Sequence, residues 1–243
     1  MHVGVARQQA RNNHRRSRAS DRADVERFVA AFAHDLESSL LVITKNAELL
    51  RESGPGLELE QEDSLERIER TAARMKRLLS GVRNYARADS ELEHEEVSLA
   101  EIVDEVLQML APLIDERRAR VSVASELPVV TGDRTQLADL VQNLVSNAVK
   151  FGPPRGGVVA IGARRDGGAW EIAVSDQGPG IAREHYERIF EPFRRLREGA
   201  KHPGTGLGLA ICKRVAENHG GSLSVRTNPH GGATLVFTLP DAD

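Results

Sequence analysis

Apolar positions along this chain follow a helical period first and a mixture of strand and helix periods later. Phe28, Phe32, Leu36, Leu40 (with Ser39 beside it), Ile43, Ala47 and Leu50 fall on one stripe, which predicts an amphipathic helix. Leu65, Ile68, Ala72, Met75, Leu79 and Val82 alternate spacings of 3 and 4, the seam of a heptad repeat. Ser53-Gly54-Pro55-Gly56 interrupts the two stripes. Two amphipathic helices joined by such a turn predict a helical hairpin over residues 21–88. Two helices bury little surface by themselves, so a homodimeric four-helix bundle is the expected solution.

Beyond the acidic stretch Asp89–Glu96, read as a linker, the pattern changes. Glu96–Leu99 and Val121–Ser125 read as strands around a helix over 100–117. Asp133–Phe151 reads as a second helix. Val158–Ala163 and Trp170–Ser175 read as strands joined by the turn Arg165-Asp166-Gly167-Gly168. Leu207–His219 reads as a helix closed by Gly220-Gly221. Ser222–Thr227 and Ala233–Leu239 form a last hairpin across 228–232. The expected class is α+β: the helical hairpin, then a two-layer α/β sandwich over 97–243.

Composition narrows the picture. The 243 residues are 40% apolar and 28% charged, as in ordinary soluble globular proteins. Among the longest apolar runs is LLVI at 40–43, far short of the roughly 20 residues of a membrane-spanning helix. The sequence shows no signal-peptide core. The single cysteine, Cys212, excludes an internal disulfide framework and a multi-cysteine metal site. A reducing, cytoplasmic setting follows as the expectation. Net charge is −3, yet residues 1–20 hold five arginines (Arg7, Arg11, Arg15, Arg16, Arg18) and no acid, leaving −8 on the rest. This arm reads as a disordered basic leader. It could touch nucleic acid or anionic lipid, but an acidic body and only 4% aromatics argue against nucleic acid.

Candidate chemistry lies on four segments and one histidine. On the helix 133–151, Asp139, Asn143, Asn147 and Lys150 share a different face from the apolar stripe Leu137, Leu140, Val141, Leu144 and Ala148. That face is either a solvated surface or a place where amide oxygens meet Mg²⁺ and a lysine meets phosphate. Asp176-Gln177-Gly178-Pro179-Gly180-Ile181 follows a strand. Its glycines let a flat ligand approach the backbone, and its carboxylate could accept from an exocyclic amine; turns of this composition are also common. Gly204-Thr205-Gly206-Leu207-Gly208-Leu209 opens a helix, a setting suited to phosphate. It matches neither the Rossmann nor the Walker spacing. Phe190-Glu191-Pro192-Phe193 lies between these loops, and the basic, aperiodic stretch 194–203 suits a mobile lid. His34 stands off the apolar stripe, flanked by Asp35 and Glu37. A lone surface histidine usually has no role, but one oriented by a carboxylate can present a nucleophilic nitrogen.

In this order the segments resemble the sensor histidine kinases of two-component signalling, over roughly residues 24–240. His34-Asp35-Leu36 resembles the H-box and Asn143–Phe151 the N-box. Asp176–Ile181 resembles the G1 box, Phe190–Phe193 the F-box and Gly204–Leu209 the G2 box. The resemblance implies a phosphoacceptor hairpin followed by a Bergerat-type ATP-binding domain. It implies His34 as phosphorylated residue, with Asp35 activating it. Asn147 would be the Mg²⁺ ligand, and Asn143, Lys150 and Arg195 would lie near the phosphates. Asp176 would meet the adenine amine. Phe151, Gly178, Gly180, Ile181, Gly204, Thr205, Gly206, Leu207 and Gly208 would border the nucleotide. The pattern departs at two places: Ser39 stands where the H-box has proline, and Glu37 where a basic residue is frequent. Loss of the proline removes a helix kink and leaves the nucleophile in place. Ser38 stands where phosphatase-competent relatives carry threonine or asparagine, so weak phosphatase action is expected.

The expected function is an ATP- and Mg²⁺-dependent kinase that phosphorylates its own His34 and passes the group to an aspartate of a response-regulator receiver domain. The stimulus would come from an upstream sensor domain or a separate sensor protein. The rival readings are a nucleotide-binding pseudokinase scaffold and, more weakly, a DNA-binding protein using the arginine arm.

Overall fold

The computed structural model describes residues 36, 38–39, 41–43, 45–46, 48–50, 63–68, 70–72, 74–75, 92–124, 126–196, 204–228 and 231–241. The chain divides into two compact units, Met1–Ser80 and Gly81–Asp243.

In the first unit the described residues between 36 and 50 and between 63 and 75 are helical. His34 and Asp35 lie outside the described residues, as do Phe28, Phe32, Leu40, Ala47, Leu79 and Val82. Leu36, Ile43 and Leu50 are half-buried, as the first stripe requires. The deepest described positions, however, are polar. Ser39 and Asn46, seven residues apart, are 3% and 2% exposed. The Asn46 Nδ2–H donates to the Val42 carbonyl at 2.7 Å. On the second helix Ser64 is buried and Ile68, Thr71 and Met75 are half-buried, whereas Leu65 and Ala72 face outward. The heptad seam therefore splits. Ile68 and Met75 are half-buried, and Leu65, 51% exposed, leaves apolar surface uncovered.

In the second unit a short strand β1 (Glu95–Ser98) leads into helix α1 (Leu99–Arg117). Ser98 caps the helix by accepting from the Glu101 N–H, and Leu99, Ile102, Val103, Val106 and Leu110 form its buried stripe. Strand β2 (Arg120–Val123) follows, then β3 (Val129–Gly132). The sequence pattern did not reveal β3: it has four residues and pairs antiparallel with β1, about thirty residues upstream. Helix α2 (Arg134–Phe151) begins at Asp133, whose carboxylate accepts from the Gln136 N–H at 2.9 Å. Strands β4 (Val158–Asp166) and β5 (Ala169–Ser175), helix α3 (Gly208–Asn218) and strands β6 (Ser222–Thr227) and β7 (Ala233–Pro240) complete the unit.

The main sheet has the order β2-β4-β5-β7-β6, with β2 parallel to β4 and the remaining pairs antiparallel. Registered rows carry the core: Ile161, Val174, Leu235 and Val225 in one, Ile172, Phe237 and Leu223 in the next. Alternate residues point to opposite faces of a sheet, so these rows meet the apolar stripes of α2 and α3 on one side. The α/β sandwich is as the pattern predicted. On the other face Glu171 binds Arg164 and Arg226, whose hydrogen bonds hold its carboxyl below the usual range.

One buried histidine joins α3 to the start of α2. His219, the residue closing α3, accepts from the Asp133 N–H through Nε2 at 3.0 Å. Its Nδ1 lies 2.8 Å from the Val215 carbonyl and so carries the proton. Burial lowers its pKa; the Val215 bond and Asp133 oppose that, and His94 adds to it. The neutral ring thus stabilises the fold fully above the unfolded value of 6.5, and this stabilisation is lost as pH falls through the lower folded value. The urea midpoint of the chain is expected to fall between neutral pH and about pH 5, and to fall less in His219→Asn. Equal falls in both proteins would remove His219 as the cause.

Candidate nucleotide site

Three elements of the second unit bring the candidate residues together. Helix α2 presents Asn143, Asn147 and Lys150 on one face, all half-buried. The Asn143 Nδ2–H donates to the Asp139 carbonyl at 2.9 Å, which directs its Oδ1 the other way. That oxygen lies 3.0 Å from where a Cβ on Gly208 would stand, so Asn143 abuts the first turn of α3. Asn147 is one helical turn farther along the same face. The Lys150 ammonium reaches back to Ser146 Oγ at 3.5 Å.

The second element is the loop after β5. Asp176 is gripped from several directions. Its N–H donates to the Ala233 carbonyl at 2.9 Å. Its Oδ1 accepts from the Gly178 N–H at 2.7 Å and the Ala233 N–H at 3.2 Å. Its own carbonyl accepts from Asn228 Nδ2–H at 2.9 Å. Both backbone N–H groups on the carboxylate fall on one oxygen, which leaves Oδ2 to receive a donor from a ligand. Burial pushes the Asp176 pKa up, while the two N–H groups pull it down. A side chain on Gly178 would strike the Phe151 carbonyl, so the end of α2 and this loop are in direct contact. Gly180, with φ of +74°, packs against the carbonyl of Gly232. Ile181 is half-buried beside it.

The third element is the loop that opens α3. Gly206 has φ of +75°, and a Cβ there would lie 2.7 Å from the Phe193 carbonyl carbon. Phe193 itself has a left-handed backbone, φ of +61°, uncommon for a large side chain. Thr205 Oγ1 accepts from the Leu207 N–H at 3.3 Å, and Leu207 is fully buried. Gly204 and Arg195 are exposed. The first N–H groups of α3 have no side-chain cap, so Gly208 begins a helix whose positive end is available to an anion. Residues 197–203, most of the expected lid, lie outside the described residues.

Sequence reasoning missed Asn228, Gly232 and the Ala233 N–H, which build the support behind Asp176. Their local signal, a Gly- and Asn-containing turn, indicated a hairpin and nothing more. Among the described residues no cluster of three His, Cys, Asp or Glu side chains could hold a metal ion, and no helix is long and apolar enough to cross a membrane.

A carboxylate with one open oxygen, an asparagine-bearing helix and a glycine-opened helix converge in an α/β sandwich that follows a helical unit. Residues 132–243 match the family of histidine kinase-, DNA gyrase B- and HSP90-like ATPases. Residues 24–91 match the His Kinase A (phospho-acceptor) domain. The phytochrome-like protein Cph1 of Synechocystis sp. is 33% identical over 220 residues, 90% of this chain and 29% of that protein. The structure of the mycobacterial sensor histidine kinase MprB is 34% identical, with a TM-score of 0.54 over 60% of this chain and 97% of that one. Full-length ShkA in complex with AMPPNP is 28% identical, with a TM-score of 0.63 over 89% of this chain and 46% of that one. The chain belongs to the sensor histidine kinase family. It spans less than half the length of the curated relatives it matches, from 29% to 46% of those at the head of the comparison.

Proposed function

We propose that this chain is an ATP-dependent protein histidine kinase of two-component signalling. The observation that carries the reading is the arrangement of Asp176: one carboxylate oxygen takes both backbone N–H bonds, and the other takes no hydrogen bond from the described residues. Such an acceptor is complementary to the exocyclic amine of adenine. Asn143 and Lys150 on α2, Arg195, and the 204–208 loop at the start of α3 then lie toward the triphosphate, where cations and helix N–H groups balance its charge. The family match of residues 132–243 and the likeness to an AMPPNP-bound kinase support the same ligand class.

Magnesium fits the donor set. Asn147 offers a neutral amide oxygen on the face that also carries Asn143 and Lys150, and Mg²⁺ takes few protein ligands when phosphates and water supply the rest. The ion would neutralise charge building on the transferring phosphoryl group. His34 attacks the γ-phosphorus in line. The new P–N bond replaces the bond to the β-phosphate oxygen, and ADP leaves with that electron pair. Asp35 accepts a hydrogen bond from the other ring nitrogen and orients the nucleophile. Phosphohistidine then passes the group to a carboxylate of a receiver domain. A cytoplasmic location suits these substrates.

The first unit acts as a homodimer in this reading. Leu41, Leu49 and Leu65 are large apolar side chains that a single copy leaves exposed, a face that a second hairpin would cover. Leu65→Glu together with Ala72→Glu is expected to give a monomer with unchanged helix content, because both positions already face outward. Light scattering with circular dichroism reads this; a dimer that persists in the double variant places the interface elsewhere.

The proposed activity is tested by incubating the chain with γ-labelled ATP and Mg²⁺. Label that acid removes and alkali spares supports a phosphohistidine. Acid-stable label indicates phosphoserine or phosphothreonine. Tight ATP binding by a confirmed dimer without label favours a nucleotide-binding scaffold.

A further inference from the structure

Asp176 is held at three backbone or side-chain atoms by the β6–β7 turn, and only one of those contacts comes from a side chain. Ala233 supplies its N–H and its carbonyl, which any residue would provide. Gly232, with φ of +87°, brings its Cα so close to the Asp176 carbonyl that a Cβ would collide with it. The third contact is the Asn228 amide, which donates to that same carbonyl at 2.9 Å. The turn is also fastened at its base, where Tyr186 and Thr227 share a hydroxyl hydrogen bond of 2.7 Å. Asn228 therefore fixes the plane of the peptide that follows the recognition carboxylate.

We infer that Asn228 is a positioning residue for base recognition: its amide sets the direction of the open Asp176 carboxylate oxygen, and so the preference for a base bearing an exocyclic amine. This rests on the reading of Asp176 given above. Carboxylate direction depends on the backbone that carries it. Removing the amide leaves a part-buried carbonyl without one of its donors, and the peptide can rotate to seek another. The lost precision falls on the amine contact. Triphosphate contacts, which come from α2 and α3, are left as they were.

The probe is a pair of nucleotides, ATP and ITP, with the full chain. Inosine carries a carbonyl oxygen in place of the adenine amine, so the exocyclic position that would face the carboxylate accepts instead of donating, and its remaining donor, the ring N1–H, lies one atom away from that position. Asn228→Asp is the informative variant. It keeps the size of the side chain and its aptitude for turns but presents no donor. Its ATP affinity is expected to fall about fivefold, the worth of one neutral hydrogen bond, with ITP affinity unchanged, so the ATP-to-ITP ratio narrows. Asn228→Ala is expected to narrow it likewise. In an Asp176→Asn background, Asn228→Asp is expected to cost nothing further. Equal losses for ATP and ITP, or an unchanged ratio in Asn228→Asp, would overturn the positioning role while leaving the Asp176 reading intact. A wild-type chain that binds ATP and ITP equally would overturn the Asp176 reading and the inference with it.

Discussion

His34→Gln is expected to abolish labelling from γ-labelled ATP while ATP affinity stays at the wild-type value. The substitution removes the only group proposed to attack phosphorus. It lies in the unit Met1–Ser80, whereas every proposed nucleotide contact lies in Gly81–Asp243. Glutamine is a good helix former, so the change is compatible with the helix that the sequence pattern predicts there. Without a nucleophile the loss is total and not graded, since bound ATP has no second imidazole proposed to meet it. Calorimetry and labelling gels on the same preparation separate the two quantities. Labelling that persists in His34→Gln would move the phosphoacceptor to another residue.

Asp176→Asn is expected to weaken ATP and adenosine alike, by about a hundredfold. The expected size of the loss follows from the geometry around the carboxylate. Two N–H groups hold Oδ1, so an asparagine would turn its one oxygen toward Gly178 and Ala233. Its NH₂ would then occupy the open position and face the adenine amine, donor against donor. The cost combines a lost charge-assisted hydrogen bond with an unsatisfied donor, together on the order of 3 kcal/mol. Asn147→Ala gives the opposite pattern. It is expected to weaken ATP with Mg²⁺ by about tenfold or more and to leave adenosine unchanged, because an ion held by Asn147 would supply charge to the phosphates, which adenosine lacks. Titrations of each variant with both ligands distinguish the roles. Equal losses of ATP and adenosine in Asn147→Ala would contradict a metal-binding role.

Local signals in the sequence were enough where structure is built locally. Asp133 announced the start of α2, and the stripe from Leu137 to Ala148 announced its buried face, so the helix appears as expected. The loop beginning at Asp176 was visible only as a common composition of turn. Its distinctive geometry comes from residues more than fifty positions away, Asn228 and Ala233, which no local pattern joins to it. Strand β3 escaped for the same reason, since four residues gain a strand's identity only through pairing with β1. His219 read as the end of a helix, and its bond to the Asp133 N–H joins segments 86 residues apart. In the first unit the stripe predicted burial of apolar residues, but Ser39 and Asn46 lie deeper than the described leucines around them. Polar residues carry no hydrophobic period, so such positions are invisible to it.

In the proposed reaction His34 takes the γ-phosphoryl group of ATP bound by the second unit. Cleavage after Arg27 and Lys45 releases residues 28–45, in which His34 is the one histidine and Ser38, Ser39 and Thr44 are the hydroxyl-bearing residues. The direct measurement is mass spectrometry of this peptide, kept at neutral to alkaline pH, after incubation of the chain with ATP and Mg²⁺. One added phosphoryl group on His34 that disappears on brief acid treatment is the expected result. A phosphoryl group that survives acid on a serine or threonine, or one found on any other peptide, would contradict it.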